Sequence, residues 1–132
     1  MHHLSLGAKG EKQILVSGEN AISFLGPGGA RVLSTPHMIG CMEQTCRDLA
    51  LPMLEAGYDT VGAHVDVKHL AAAPMGMTVR FLAEIIGIEE RRVRFRVECW
   101  AGNEKIGEGT HERGIIHVAR FTARQAEKLK KT

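Results

Sequence analysis

A chain of 132 residues, 44% hydrophobic and 24% charged, can bury a core without disulfides or a metal, which leaves out the small stapled scaffolds. Its net charge of +2 is too mild to argue for nucleic acid and is compatible with an anionic small molecule. No apolar run approaches the roughly 18–20 residues of a membrane span, and the start, Met1 to Gly7, lacks a basic-then-apolar leader, so the chain reads as cytoplasmic with no membrane partner.

Cys41, Cys46 and Cys99 include no CxxC pair; they read as small buried hydrophobes rather than a disulfide framework or zinc site. The first eleven residues read as an unanchored lead-in, and residues 12–17 (Lys-Gln-Ile-Leu-Val-Ser) as a short strand. Gly26-Pro27-Gly28-Gly29 is a loop by composition. No Gly-Lys-Ser/Thr follows it, so phosphate cradling is not expected there.

Thr35-Pro36 then opens a long helix. A Thr hydroxyl can cap a backbone N–H and Pro needs no donor at a helix start, so Thr35 is the expected N-cap. From there the apolar positions Met38, Ile39, Met42, Cys46, Leu49, Ala50, Met53 and Leu54 recur on one face, with Gly57 as the expected terminator after residue 56. Glu43 falls at the edge of that apolar arc. A carboxylate there must be paired, protonated or used, unless its side chain curls past the rim to water.

Beyond Gly57 the period changes from 3.6 to 2. Residues 60–70 place Ala63, Val65, Val67 and His69 on one face. Strands follow at 78–89, at 92–101, where Val93, Phe95, Val97 and Cys99 face in and Arg92, Arg94 and Arg96 face out, and at 104–120. Residues 121–131 have helix-forming composition and a basic end. Short turns between the strands imply antiparallel neighbours. The layout is α+β: one long central helix wrapped by a curved antiparallel sheet of about five strands, the hotdog fold, as a single domain over residues 1–132. So small a sheet leaves an edge strand exposed, and a homodimer is expected, with further pairing of dimers left open.

Thr35, then Met42-Glu43 with the Glu eight positions on, His69 in an Ala/Val strand, and the run from Gly107 through Gly109-Thr110-His111-Glu112-Arg113 to Ile116-His117 resemble the fluoroacetyl-CoA thioesterase subfamily of hotdog thioesterases. The resemblance spans roughly residues 32–124. It implies an acyl-CoA thioester hydrolase whose catalytic set maps onto Thr35, Glu43 and His69, with Gly62 and Arg113 also in the site. It implies no cofactor: the coenzyme A thioester is the substrate. One departure is notable. The family's founding enzyme carries a longer, Phe-rich lid, held to select the fluorinated acyl group, whereas Gly26 to Arg31 has no aromatic residue. Thioesterase chemistry is therefore expected and fluoroacetyl selectivity is not.

Thioester hydrolysis needs a nucleophile, a proton acceptor and donors for the developing oxyanion. The first helical turn, from Thr35 through Pro36 to Met38, is a candidate to hold the acyl oxygen. Glu43 could activate water or attack the carbonyl, and His69 could give and take protons near neutral pH. Thr35 is either a nucleophile or a positioning donor, and a capping Thr or a satisfied core His would look the same in sequence. His111 and His117, about 20 Å apart along one strand, are too distant to share a metal, and no metal is expected. The row Arg92, Arg94 and Arg96, and the basic end from Arg120 and Arg124 onward, are each either a solvated face or contacts for coenzyme A phosphates. Two other functions compete: an enoyl-CoA hydratase, on the interval Asp59 to His64, and a non-catalytic acyl-CoA binding module.

Overall fold

The computed structural model describes residues 2–132. Strands β1 (Lys9–Leu15), β2 (Tyr58–His69), β3 (Thr78–Glu89), β4 (Arg92–Ala101) and β5 (Glu104–His117) form one antiparallel sheet in the order β1-β3-β4-β5-β2. Helix α1 (Thr35–Ala50) packs on that sheet, and α2 (Val118–Lys130) follows β5. This is the α+β hotdog arrangement expected from the pattern. Among the described residues no helix is long and apolar enough to cross a membrane.

Strict alternation makes the sheet two-faced. On β4, Val93, Phe95, Val97 and Cys99 are buried while Arg92, Arg94 and Arg96 face solvent. The register sets Phe81 opposite Cys99, Ala83 opposite Val97 and Ile85 opposite Phe95, so β3 extends the same apolar floor. Met38, Met42, Cys46 and Ala50, on successive turns of α1, are buried against it. Each large apolar side chain removed from water here is worth about 2 kcal/mol. Helix and sheet approach closely at Gly107, where a Cβ would stand 2.8 Å from both Met38 Sδ and Cys99 Sγ; a side chain there would force those core side chains to shift.

Several boundaries differ from the sequence expectation. The lead-in is anchored: Gly7 N–H donates to Ile85 O at 2.8 Å and Ile85 N–H to Ala8 O at 2.9 Å, and β1 starts at Lys9, because the edge of β3 offers backbone groups that need partners. Helix α1 ends at Ala50, and residues 51–53 tighten into one 3-10 turn. Pro52 is the reason, since it lacks the N–H that would continue the ladder and its ring crowds the preceding turn. Gly57, at φ +87°, turns the chain into β2 instead of ending the helix. In β2 a register shift between Gly62 and His64 breaks the alternation, so Ala63 and Val65 are exposed while Val67 and His69 are half-buried. Strand β5 stops at His117, whose Nδ1 accepts from Arg120 N–H at 3.4 Å and starts α2 three residues early.

Phe95→Ala should lower the unfolding free energy by about 3–5 kcal/mol, read from the urea midpoint at unchanged m-value. Arg94→Ala, one position along on the opposite face, should stay within about 0.5 kcal/mol.

Candidate active site

The helix start divides labour between two adjacent hydroxyls. Ser34, extended at φ −73° and ψ 147°, is the N-cap, its Oγ accepting from His37 N–H at 3.2 Å. Thr35 is therefore the first helical residue rather than the cap, and its Oγ1 lies 2.7 Å from Nδ1 of His69, the last residue of β2. With the ring proton on Nε2, Nδ1 accepts from the Thr35 hydroxyl. That is the arrangement of a hydroxyl with its base. Burial pushes His69 below the ordinary histidine range, opposed in part by the Ala71 backbone, so the neutral, accepting form prevails at neutral pH. Its Nε2 is buried and has no hydrogen-bond partner among the described residues.

Two turns along α1, Glu43 meets a different set of groups. Its Oε1 is 3.8 Å from Arg113 Nη1 and 3.8 Å from His111 Nε2, both on β5. A Cβ at Gly62 would stand 2.5 Å from that oxygen, so the bare backbone of β2 is what lets the carboxylate lie against the strand. Arg113 is buried and fully clamped: Nε donates to Thr60 Oγ1 at 2.7 Å, Nη2 to Thr60 O at 2.8 Å, and Nη1 to His111 Nε2 at 3.1 Å. His111 Nδ1 in turn donates to the His64 carbonyl at 2.9 Å, which fixes the tautomer and leaves Nε2 as a neutral acceptor. Burial pushes His111 below the ordinary histidine range, with the His64 carbonyl opposing, and lowers Arg113, with Glu43 opposing. Glu43 retains 38% of its side-chain exposure, so water and substrate can reach it.

The structure thus joins Thr35 to His69, and Glu43 to Gly62 and Arg113. It does not bond Glu43 to His69. Met38 is fully buried on the core side and its N–H is taken by Ser34 O at 3.0 Å. Pro36 has no N–H, and that of His37 goes to the cap. Thr35 N–H is the first-turn donor left without a partner among the described residues. His111 and Thr60 were not among the sequence candidates, although alternation places His111 on the same buried face as Arg113. Asp59 is held by Arg47 at 3.0 and 2.6 Å and its carboxyl lies below the usual range chiefly through that bond, so it is engaged away from His64.

A central helix wrapped by a five-stranded antiparallel sheet, with a short helix after the last strand, is the build of a hotdog thioesterase. Known proteins agree. The profile of the fluoroacetyl-CoA-specific thioesterase family matches residues 16–119. The fluoroacetyl-CoA thioesterase of Streptantibioticus cattleyicolor is 41% identical over 97 residues, 74% of this chain and 70% of the relative. The solved structure of the fluoroacetyl-CoA thioesterase FlK superposes with a TM-score of 0.86 at 34% identity, covering 95% of this chain and 97% of that one. A thioesterase-superfamily protein of Thermus thermophilus gives 0.88 at 32% identity over all of both chains. The chain belongs to the fluoroacetyl-CoA-specific thioesterase family, and it is a thioester hydrolase.

Gly62→Ala should displace the Glu43 carboxylate, the flexible partner in the clash, so thioesterase turnover should fall by about tenfold or more while the unfolding free energy changes by less than about 1 kcal/mol. The two depressed histidines set the sign of the pH dependence. The unfolded chain takes up protons near pH ~6.5 that folded His69 and His111 resist, so stability is present above that value and declines as pH falls below it. Urea midpoints between about pH 7 and pH 5 should fall, and fall less in His111→Asn.

Proposed function

We propose that this chain hydrolyses a short or modified acyl-CoA thioester to the free acid and coenzyme A, using Thr35, Glu43 and His69. The observation that carries the reading is the 2.7 Å contact between Thr35 Oγ1 and His69 Nδ1, made possible because Ser34 has taken over the cap. His69 takes the hydroxyl proton as Thr35 attacks the carbonyl and returns it to the leaving thiolate; water then attacks the resulting acyl-threonine, its proton passing through His69 to the departing Thr35 oxygen as the free acid is released. Thr35 N–H, at the positive end of α1, faces the developing oxyanion. Eight residues of helix set Glu43 about 12 Å along the axis from Thr35. Glu43, beside Arg113 and open to solvent, orients the attacking water.

Relatives support the substrate class: FlK has been solved as a threonine-to-serine mutant with acetyl-CoA and as a phenylalanine-to-alanine mutant with fluoroacetate and CoA. Selectivity for the fluorinated group is not part of the proposal. Gly26 to Arg31 carries no aromatic residue, and Phe24, the nearest one, is 78% exposed. The whole chain is read as one thioesterase domain acting as a homodimer, supported by the outer edge of β2, twelve residues long with no strand beside it. The three cysteines are unpaired and buried, which is compatible with the cytoplasm.

Release of coenzyme A should be measured with a thiol reagent across acetyl-, fluoroacetyl-, butyryl-, phenylacetyl- and long-chain acyl-CoA. At least one short or modified member should turn over, and Glu43→Ala and Thr35→Ala should each cost about 10²–10⁴-fold in kcat. Turnover of a long-chain member alone, or full activity in both variants, would overturn the reading.

A further inference from the structure

Residues 31–34, which lead into α1, run between two other strips of backbone. On one side Ile22 N–H donates to Val32 O at 2.8 Å and Ser34 N–H to Asn20 O at 2.9 Å; on the other, Leu33 N–H donates to Ala73 O at 2.9 Å and Met75 N–H to Arg31 O at 3.0 Å. The second strip begins four residues after His69. Thr35 and His69 therefore hang from neighbouring parts of one small frame, and their 2.7 Å contact depends on how its parts are held.

The strip at residues 17–22 lies outside the strands of the sheet and needs its own fastening. Asn20 ties it to the end of β1, its Nδ2 donating to Leu15 O at 3.1 Å and its Oδ1 accepting from Ser17 N–H at 2.9 Å. Arg31 does the rest. Its Nη2 donates to Gly18 O at 3.1 Å and to Ala21 O at 3.0 Å, and its Nε to Ile22 O at 3.0 Å. Among the described residues no backbone N–H meets those three carbonyls.

Arg31 differs in this from most arginines of the chain. Arg47, Arg80, Arg92, Arg96 and Arg113 each face a carboxylate within 4 Å, and among the described residues none stands that close to Arg31. All its side-chain bonds go to neutral carbonyls of one turn. A planar fork holds such acceptors at fixed spacing, which a single ammonium cannot do. We infer that Arg31 is a positioning residue for the reaction: it holds residues 17–22 so that Asn20 O keeps the Ser34 N–H, and the start of α1 presents Thr35 to His69. The inference rests on the reading that Thr35 and His69 carry the hydrolysis.

Arg31→Met keeps the apolar stem and removes every donor; Arg31→Lys keeps the charge without the fork; Arg94→Met, on the outer sheet face, is the control. With an acyl-CoA that the parent hydrolyses, kcat should fall about 10- to 100-fold in Arg31→Met, as for a small misplacement of a reacting group, with KM within about twofold. Arg31→Lys should show the same change at smaller size, and Arg94→Met none. The nitrogen resonance of His69 Nδ1, which reports acceptance from the Thr35 hydroxyl, should shift in both Arg31 variants in the direction it shifts in Thr35→Val. Arg31→Lys carries both readouts if Arg31→Met does not fold. Parent values of kcat and of that resonance overturn the inference, as does a loss of kcat with the resonance unmoved, the mark of a merely structural role. If the resonance shifts while the parent itself hydrolyses no acyl-CoA, the placement of Thr35 by Arg31 stands and the hydrolytic reading falls.

Discussion

A guanidinium taken out of water must be satisfied at its donors and balanced in charge, and Arg113 sets that demand in this fold. Thr60 answers it twice, from its hydroxyl and its carbonyl, and His111 answers it once. Glu43 supplies the nearby opposite charge. The consequences spread from there. Gly62 must lack a side chain so that the carboxylate can come in, His111 must keep its proton on Nδ1 and spend it on the His64 carbonyl, and β2 and β5 are pinned in register by groups that also face the site. Removing any member leaves another buried and unpaired, which is why such a cluster behaves as a unit.

The two neutral histidines are opposites in use. His111 is locked: one nitrogen donates to a carbonyl and the other accepts from Arg113, so it orients a cation. His69 has one nitrogen on the Thr35 hydroxyl and the other buried without a partner among the described residues, so its one side-chain bond is to that hydroxyl. Burial lowers the pKa of both, so each is neutral near pH 7 for the same reason while its contacts differ.

Much of this is legible in the sequence where a periodic pattern meets a packed face. Strands β3 and β4 fall on their expected residues because Val93, Phe95, Val97 and their partners obey a strict period of two. Element ends are less legible. Pro52 shortens the helix, the bulge after Gly62 resets one strand, and the backbone of β3 recruits residues that look unanchored alone. In the site, the family resemblance points to Thr35, Glu43, Gly62, His69 and Arg113, while periodicity alone sets Glu43 at the rim of the helix face and His69 on an apolar strand face. The role of His111 depends on two hydrogen bonds, one of them to a residue far away in sequence, which spacing cannot display. The cap falls one residue before its expected place for a related reason: Ser34 and Thr35 are both good capping types, and a residue before proline normally avoids helical geometry. Only the position of His69 shows why Thr35 accepts it.

That adjacency of Ser34 and Thr35 separates two quantities that are fused when one residue does both jobs. The serine hydroxyl caps the helix and the threonine hydroxyl meets His69, so substitutions at neighbouring positions fall on different contacts. Thr35→Ser keeps a hydroxyl beside His69 and leaves untouched the Ser34 bond that starts the helix. The first turn of α1 thus carries two hydroxyl contacts that can be altered one at a time while the fold beneath them is held constant.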